Sequence, residues 1–131
     1  MKTVILFVTA VVLFFSDSTF EMPYSKIEQA FAANDSQTII SLGKEKILLK
    51  IADKEGGYNH NQAVLILQDF FVRNPKGSFN FTFKGKENSD GIFCMAFYAT
   101  KSNQYKITFQ FIKMKYSYQF ESLSISNVQK K

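Results

Sequence analysis

Cysteine, histidine and tryptophan are almost missing from this chain, and the shortage excludes several classes of site. The 131 residues include one cysteine, one histidine and no tryptophan. A single thiol cannot form an intramolecular disulfide. One histidine and one cysteine also fall short of the clustered ligands that a structural or catalytic metal site needs. We therefore predict a fold that has no disulfide, no metal site and no cofactor.

The two rare side chains themselves have ordinary structural interpretations. Cys94 stands within the apolar segment 92–99, whereas a thiol nucleophile needs exposure and a neighbouring base. We expect a buried, unreactive thiol. His60 follows Asn59, a predicted helix cap, and we expect it to be exposed at the start of that helix.

Long apolar runs are scarce, and the longest stands at the N-terminus. Lys2 precedes the apolar run 4–15, and small residues follow at Ser16 and Ser18. This arrangement is typical of a secretory signal peptide, with cleavage expected between Ser18 and Thr19. The alternative is an uncleaved membrane anchor, but spanning the hydrocarbon core takes about twenty apolar residues. We predict an exported protein, periplasmic or extracellular, that contacts the membrane only through its leader during export.

Positive charge is in excess, but it is not concentrated. The formal net charge is +5, and the lysines between Lys44 and Lys115 are dispersed. Nucleic-acid binding would require a dense basic patch interleaved with exposed aromatic rings. We interpret the lysines as a solvated basic surface and predict no nucleic-acid partner.

Apolar residues in the first half of the chain recur at helical spacing. The tetrapeptide 25–28 predicts a capping box for a first helix that ends near Asn34. Asp35 or Ser36 predicts the cap of a very short second helix, stopped by Gly43. A strand is then expected from alternating apolar residues.

The main helix has clear signals at both ends. Asn59 with Gln62 forms a second predicted capping box, and the Asn-Pro pair 74–75 predicts its end. Asp69 and Arg73 stand four residues apart on its polar side, which predicts an exposed ion pair.

Strand patterns occupy the rest of the chain. The alternating stretch 47–51 predicts a strand that the Gly-Gly pair 56–57 ends. After residue 77, four phenylalanine-rich segments alternate in steps of two, which predicts an antiparallel meander. Segment 92–99 is apolar in both phases and is expected to be covered on both faces. A shift of the apolar phase near residues 121–122 predicts a β-bulge.

Helices followed by a sheet predict one α+β domain over residues 19–131, with residues 1–18 as its signal peptide. Because a bulge bends a sheet, we expect N-terminal helices packed on a curved antiparallel sheet, in a cone that offers a pocket.

Several segments also carry a family resemblance. They are 53–58, 62–63, 66–67, 69–71, 74–75, 90–91, Tyr105, Phe109, Tyr118 and 123–125. Together they resemble the domain of unknown function 4783 family, small exported Bacteroidetes proteins of the nuclear transport factor 2-like and cystatin-like superfamily. The resemblance implies the cone fold and a bacterial envelope setting, and it implies no activity and no catalytic residues. At 59–60 the family more often has serine followed by lysine, but an asparagine caps a helix equally well.

Acid–base chemistry would need a titratable group held inside the cone. The inward phases, Phe79-Phe81-Phe83 and Tyr105-Ile107-Phe109-Phe111, contain no carboxylate and no histidine. Tyr98 and Glu121 are the remaining candidates, and both have structural interpretations. Tyr98 can be a tyrosine whose hydroxyl lies at the sheet edge, and Glu121 can be a solvated glutamate. We assign no catalytic residue and predict that the protein is not an enzyme.

The favoured function is a non-enzymatic binding module of the bacterial envelope. A small hydrophobic ligand, a peptide or a partner protein would enter an apolar mouth between the long helix and the sheet. The predicted lining is Phe31, Phe71, Met95, Phe97, Phe109 and Phe111. For each of these side chains, simple core filling is the alternative. A homodimeric or structural module that uses the sheet face is the second hypothesis, and an enzyme using the cone cavity is the third.

Overall fold

The computed structural model describes residues 20–128. The predicted leader and its cleavage site at Ser18 and Thr19 lie outside the described residues. The helices are α1 (Tyr24–Ala32), α2 (Ser36–Ser41) and α3 (His60–Arg73), and the strands are β1 (Gly43–Ile51), β2 (Lys54–Asn59), β3 (Ser78–Lys84), β4 (Ile92–Ala99), β5 (Gln104–Lys113) and β6 (Tyr118–Asn127). Within 20–128, no helix has the length and apolar character needed to cross a membrane.

The helices pack against one face of a curved, six-stranded sheet with the strand order β2-β1-β6-β5-β4-β3. The α+β class is therefore confirmed, and β3 to β6 form the predicted meander. One pairing differs from the expected antiparallel pattern, because β1 runs parallel to β6. Parallel neighbours need a long crossover, and here the crossover contains β2, α3 and the first three strands of the meander.

Strand β2 was not predicted, and the expectation that the glycine pair 56–57 ends the first strand is wrong. The chain reverses at Ala52, whose φ is 55°, and returns as β2 beside β1. Leu49 pairs with Gly56, so the glycines lie inside the new strand. Glycine is tolerated there because β2 is an edge strand.

Helix α1 begins differently from the prediction. Its N-cap is Pro23, no side chain caps it, and the Ser25 hydroxyl instead accepts a hydrogen bond from Gln29 Nε2 at 3.4 Å. The predicted box at 25–28 is therefore wrong. Proline suits a helix start because its fixed φ is already close to helical and it has no N–H to satisfy.

The other two predicted caps are confirmed. The Asp35 carboxylate accepts the backbone N–H of Thr38 at 3.1 Å at the start of α2. At the start of α3, the Asn59 side chain accepts the N–H of Gln62 at 2.9 Å, and the Gln62 side chain accepts the N–H of Asn59 at 3.1 Å. The second box thus fixes the direction in which α3 leaves β2.

The predicted bulge in the last strand is confirmed at Glu121. Gln110 pairs with Ser122 and Phe111 pairs with Phe120, which leaves Glu121 as the extra residue. The bulge returns the apolar side chains of β6 to the inner face.

A second bulge, at Thr82, was not predicted. It turns Phe83 out of the inward row, so that this side chain is 51% exposed and its ring lies 6.2 Å from that of Phe93. The expected inward position of Phe83 is wrong. Phe93 itself is 40% exposed, so the outer face of β4 is not covered by other residues of the described range, contrary to the prediction.

Candidate functional site

Four of the six predicted lining residues lie together in the packed core. Phe31, Phe71, Phe109 and Phe111 are all buried. The Phe31 ring lies edge-on to Phe71 at 5.5 Å and to Phe109 at 6.4 Å. These four rings fill the inside of the cone, as the core-filling alternative predicts.

The other two predicted lining residues are on the opposite face. Because side chains alternate along a strand, the inward positions of β4 are taken by Cys94, Ala96 and Tyr98, all buried. Met95 and Phe97 point outward and are half-buried. The six residues therefore do not line one cavity.

A cleft with an apolar floor lies at the open end of the cone. It measures about 600 Å³ and is formed by the second half of α3, the β1–β2 turn and the ends of β5 and β6. Its lining includes Ile51, Asp53, Lys54, Ile66, Asp69, Phe70, Arg73, Asn74, Tyr105 and Ile125.

The helical side of the cleft follows directly from the spacing in α3. Ile66, Asp69, Phe70 and Arg73 stand at intervals of three and four residues, which places them on one face of the helix. Arg73 Nη2 lies 3.0 Å from Asp69 Oδ2, so the predicted exposed ion pair is confirmed and lies at the rim of the cleft.

The floor of the cleft is apolar. Ile51 and Ile125 are register partners across β1 and β6, and both are buried. The Phe70 and Tyr105 rings meet edge to face, with 4.9 Å between their centroids. An apolar group bound in the cleft would therefore contact two isoleucines and an aromatic pair.

Tyr98 is the centre of a hydrogen-bonded network beside the cleft. Its hydroxyl donates to the Asn74 carbonyl oxygen at 2.6 Å and accepts hydrogen bonds from Asn34 Nδ2 and the Gly77 N–H, each at 3.0 Å. A Cβ atom at Gly77 would lie 2.4 Å from Tyr98 Cζ, so only glycine fits there. The Tyr98 hydroxyl thus has three hydrogen-bond partners within the fold.

Asn74 joins this network to the cleft wall. Sequence patterns predicted only that it follows the end of a helix. Its side-chain Oδ1 accepts the Tyr105 hydroxyl at 2.7 Å, and its Nδ2 donates to the Phe70 carbonyl at 3.0 Å. A buried asparagine just after a helix needs such partners. The Asn-Pro pair predicts the end of the helix, but it does not predict which groups form hydrogen bonds with the asparagine side chain.

The other candidate residues lie outside the cleft. Glu121 is half-buried at its bulge. His60 is half-buried, contrary to the expected exposure, because its Nε2 donates to the Lys44 carbonyl at 2.7 Å. Cys94 is buried as predicted, 3.5 Å from the Tyr24 hydroxyl, and burial raises the pKa of its thiol. Residues 20–128 contain no group of three or more histidine, cysteine or acidic side chains placed to hold a metal ion.

Helices packed on a curved mixed sheet define an α+β fold of the cystatin-like and nuclear transport factor 2-like class. A more specific assignment comes from a family model, described as domain of unknown function DUF4783, which matches residues 24–126. The chain belongs to this family. No curated protein matches it.

Solved structures support the same assignment. A DUF4783 family protein from Bacteroides ovatus is 20% identical, with a TM-score of 0.75, covering 86% of this chain and 100% of its own. One from Bacteroides fragilis is 24% identical, with a TM-score of 0.72, covering 82% and 100%. A Nostoc punctiforme domain of unknown function with a cystatin-like fold is 11% identical, with a TM-score of 0.60, covering 82% and 74%. At these identities the likeness concerns the fold alone.

Proposed function

We propose that this protein is an exported, non-enzymatic binding module of the bacterial envelope that holds a small ligand in the cleft at the open end of the cone. The observation that carries the proposal is the cleft itself. Its volume of about 600 Å³ lies within the range of about 300–1,000 Å³ that is usual for small-molecule sites. Its apolar floor and polar rim are also the usual composition of such sites.

The titratable groups near the cleft support binding over catalysis. Asp69 is exposed at the rim and is paired with Arg73. Asp53 is exposed in the β1–β2 turn. The Tyr98 hydroxyl has three partners within the fold. A general acid or base must reach a proton of the bound molecule, whereas the two carboxylates are exposed and the Tyr98 hydroxyl is engaged within the fold.

Native mass spectrometry of the protein purified from its own envelope tests the binding proposal. We expect a species heavier than the polypeptide by the mass of one small molecule. Ile66→Trp places an indole in the cleft, and we expect it to remove the added mass while circular dichroism shows a retained fold. Recovery of the polypeptide mass alone would contradict the proposal.

The export part of the proposal needs its own test. The basic start at Lys2, the apolar run 4–15 and the small residues before Thr19 support it. Cell fractionation followed by N-terminal sequencing should find a mature chain that begins at Thr19 outside the cytoplasm. An intact Met1 on cytoplasmic protein would overturn this part and leave ligand binding untouched.

A homodimer is the second candidate, and one surface favours it. Phe83, Phe93, Met95 and Phe97 form an apolar surface on the outer face of β3 and β4, which we name the outer strip. Contiguous exposed apolar surface is typical of protein interfaces. Light scattering at high concentration should then report a dimer that Phe93→Ser weakens. A strict monomer would exclude this candidate.

A further inference from the structure

We propose that the cleft takes an amphiphile with an apolar body and one anionic head group, and that Lys54 and Arg73 bind the head. This inference rests on the proposed binding function. It specifies the chemical class of the ligand that the cleft binds. The body of the ligand would lie on Ile51, Ile66, Phe70 and Ile125.

Strand register directs Lys54 toward the cleft. Lys54 is the partner of Ile51 across the β1–β2 hairpin, and directly opposed residues of antiparallel strands point to the same face. Ile51 is buried on the helix side of the sheet, so Lys54 stands on that side too. In the described part of the chain, the single ion pair is Asp69–Arg73, which leaves the Lys54 ammonium without an acidic partner.

Arg73 supplies the second cationic group. Its Nη2 contacts Asp69 Oδ2 at 3.0 Å. A guanidinium carries five N–H donors, so this one contact leaves donors that can bind the oxygen atoms of a ligand. Planar guanidinium groups bind carboxylate, sulfonate and phosphate oxygens well because two donors can act together. Asp69 thus positions Arg73 at the rim and leaves N–H donors of the guanidinium available to a ligand.

Two neighbouring charged residues, Asp53 and Lys50, provide control substitutions. Asp53 adjoins Lys54 in the turn and opposes an anionic ligand. Lys50 also borders the cleft, but alternation with the buried Leu49 and Ile51 directs its side chain to the other face of the sheet. Replacing Lys50 therefore removes one positive charge near the cleft without removing a proposed contact.

Two fluorescent probes with the same aromatic body measure the effect of the head group. They are 8-anilinonaphthalene-1-sulfonate, which is anionic, and N-phenyl-1-naphthylamine, which is neutral. The experiment uses the mature protein isolated from its cell, at a salt concentration of about 0.15 M, where distant charges are screened. We expect the anionic probe to bind about fivefold more tightly than the neutral probe. Lys54→Gln should remove most of this preference and Asp53→Asn should increase it. Lys50→Gln should leave it unchanged.

Amide chemical shifts locate the bound probe independently of any variant. We expect changes at 51–54, 66–74 and 125–127, and none along the outer strip, with Phe93→Ser binding like the wild type. Equal affinities for the two probes in the cleft, insensitive to Lys54→Gln, would overturn the anionic class while the binding function stands. Shifts confined to the outer strip, or no binding at all, would overturn both proposals.

Discussion

The two faces of β4 carry similar apolar side chains but have opposite surroundings. On the inner face, Cys94, Ala96 and Tyr98 are fully buried beneath the helices. On the outer face, Phe93 is 40% exposed and no described element covers it. The comparison shows that apolar character alone does not tell which face of a strand is buried. The layer of helices decides that, and it packs on one side only.

Truncation of a core ring should show the contrast between the faces most strongly. Phe109→Ala removes a fully buried ring that contacts Phe31, Phe111 and Phe120. We expect a loss of about 3–5 kcal/mol in the free energy of unfolding, because the surrounding core cannot close over the cavity. Urea denaturation measures this loss.

Phe93→Ala on the outer face is the matched control for that experiment. Its ring is already partly in water, so we expect a loss below about 1 kcal/mol. Equal losses for the two variants would mean that the outer face of β4 is covered in solution.

The hydroxyl of Tyr98 should contribute the next largest effect. Tyr98→Phe leaves the buried Asn74 carbonyl without this donor and the half-buried Gly77 N–H without its acceptor. We expect a loss of about 1–3 kcal/mol in the free energy of unfolding. Tyr105→Phe removes one hydrogen bond from a half-buried ring that water can reach, and should cost less. The reverse order would refute the central position of Tyr98.

The smallest effect should come from Asp35, the helix cap of α2, which lies on neither face of β4. Hydrogen bonds from the Thr38 side chain and backbone lower the pKa of Asp35 below its ordinary value of 3.8. A lowered folded-state pKa gives stability that is present above the ordinary value and is lost as the pH falls through the folded value. Asp35→Asn should therefore be less stable than the wild type at pH 5, with a difference that shrinks as the pH falls below 3.8. A difference independent of pH would exclude a role for the charge.

Local patterns predicted much of the fold. The capping box at Asn59, the end of α3 before Pro75, the meander and the bulge at Glu121 all follow from residues within a few positions of one another. Such signals depend on backbone geometry and alternation, which a single segment determines by itself. The capping at 25–28 failed because Pro23 offered an earlier helix start.

The site was predicted poorly because it depends on register and on distant contacts. Alternation in β4 would have been satisfied with either row inward, so Met95 and Phe97 were placed on the wrong face. Lys54 faces the cleft only because an unpredicted hairpin pairs it with Ile51. Asn74 meets Tyr105 across 31 positions of the sequence, and no local pattern joins them.

The parallel pairing of β1 with β6 has a consequence for how this chain is made. The last strand of the sequence lies third in the sheet, between β1 and β5, and so links the first hairpin to the meander. The sheet cannot be completed until the final residues of β6 have left the ribosome. A polypeptide whose sheet waits for this strand stays open longer during synthesis.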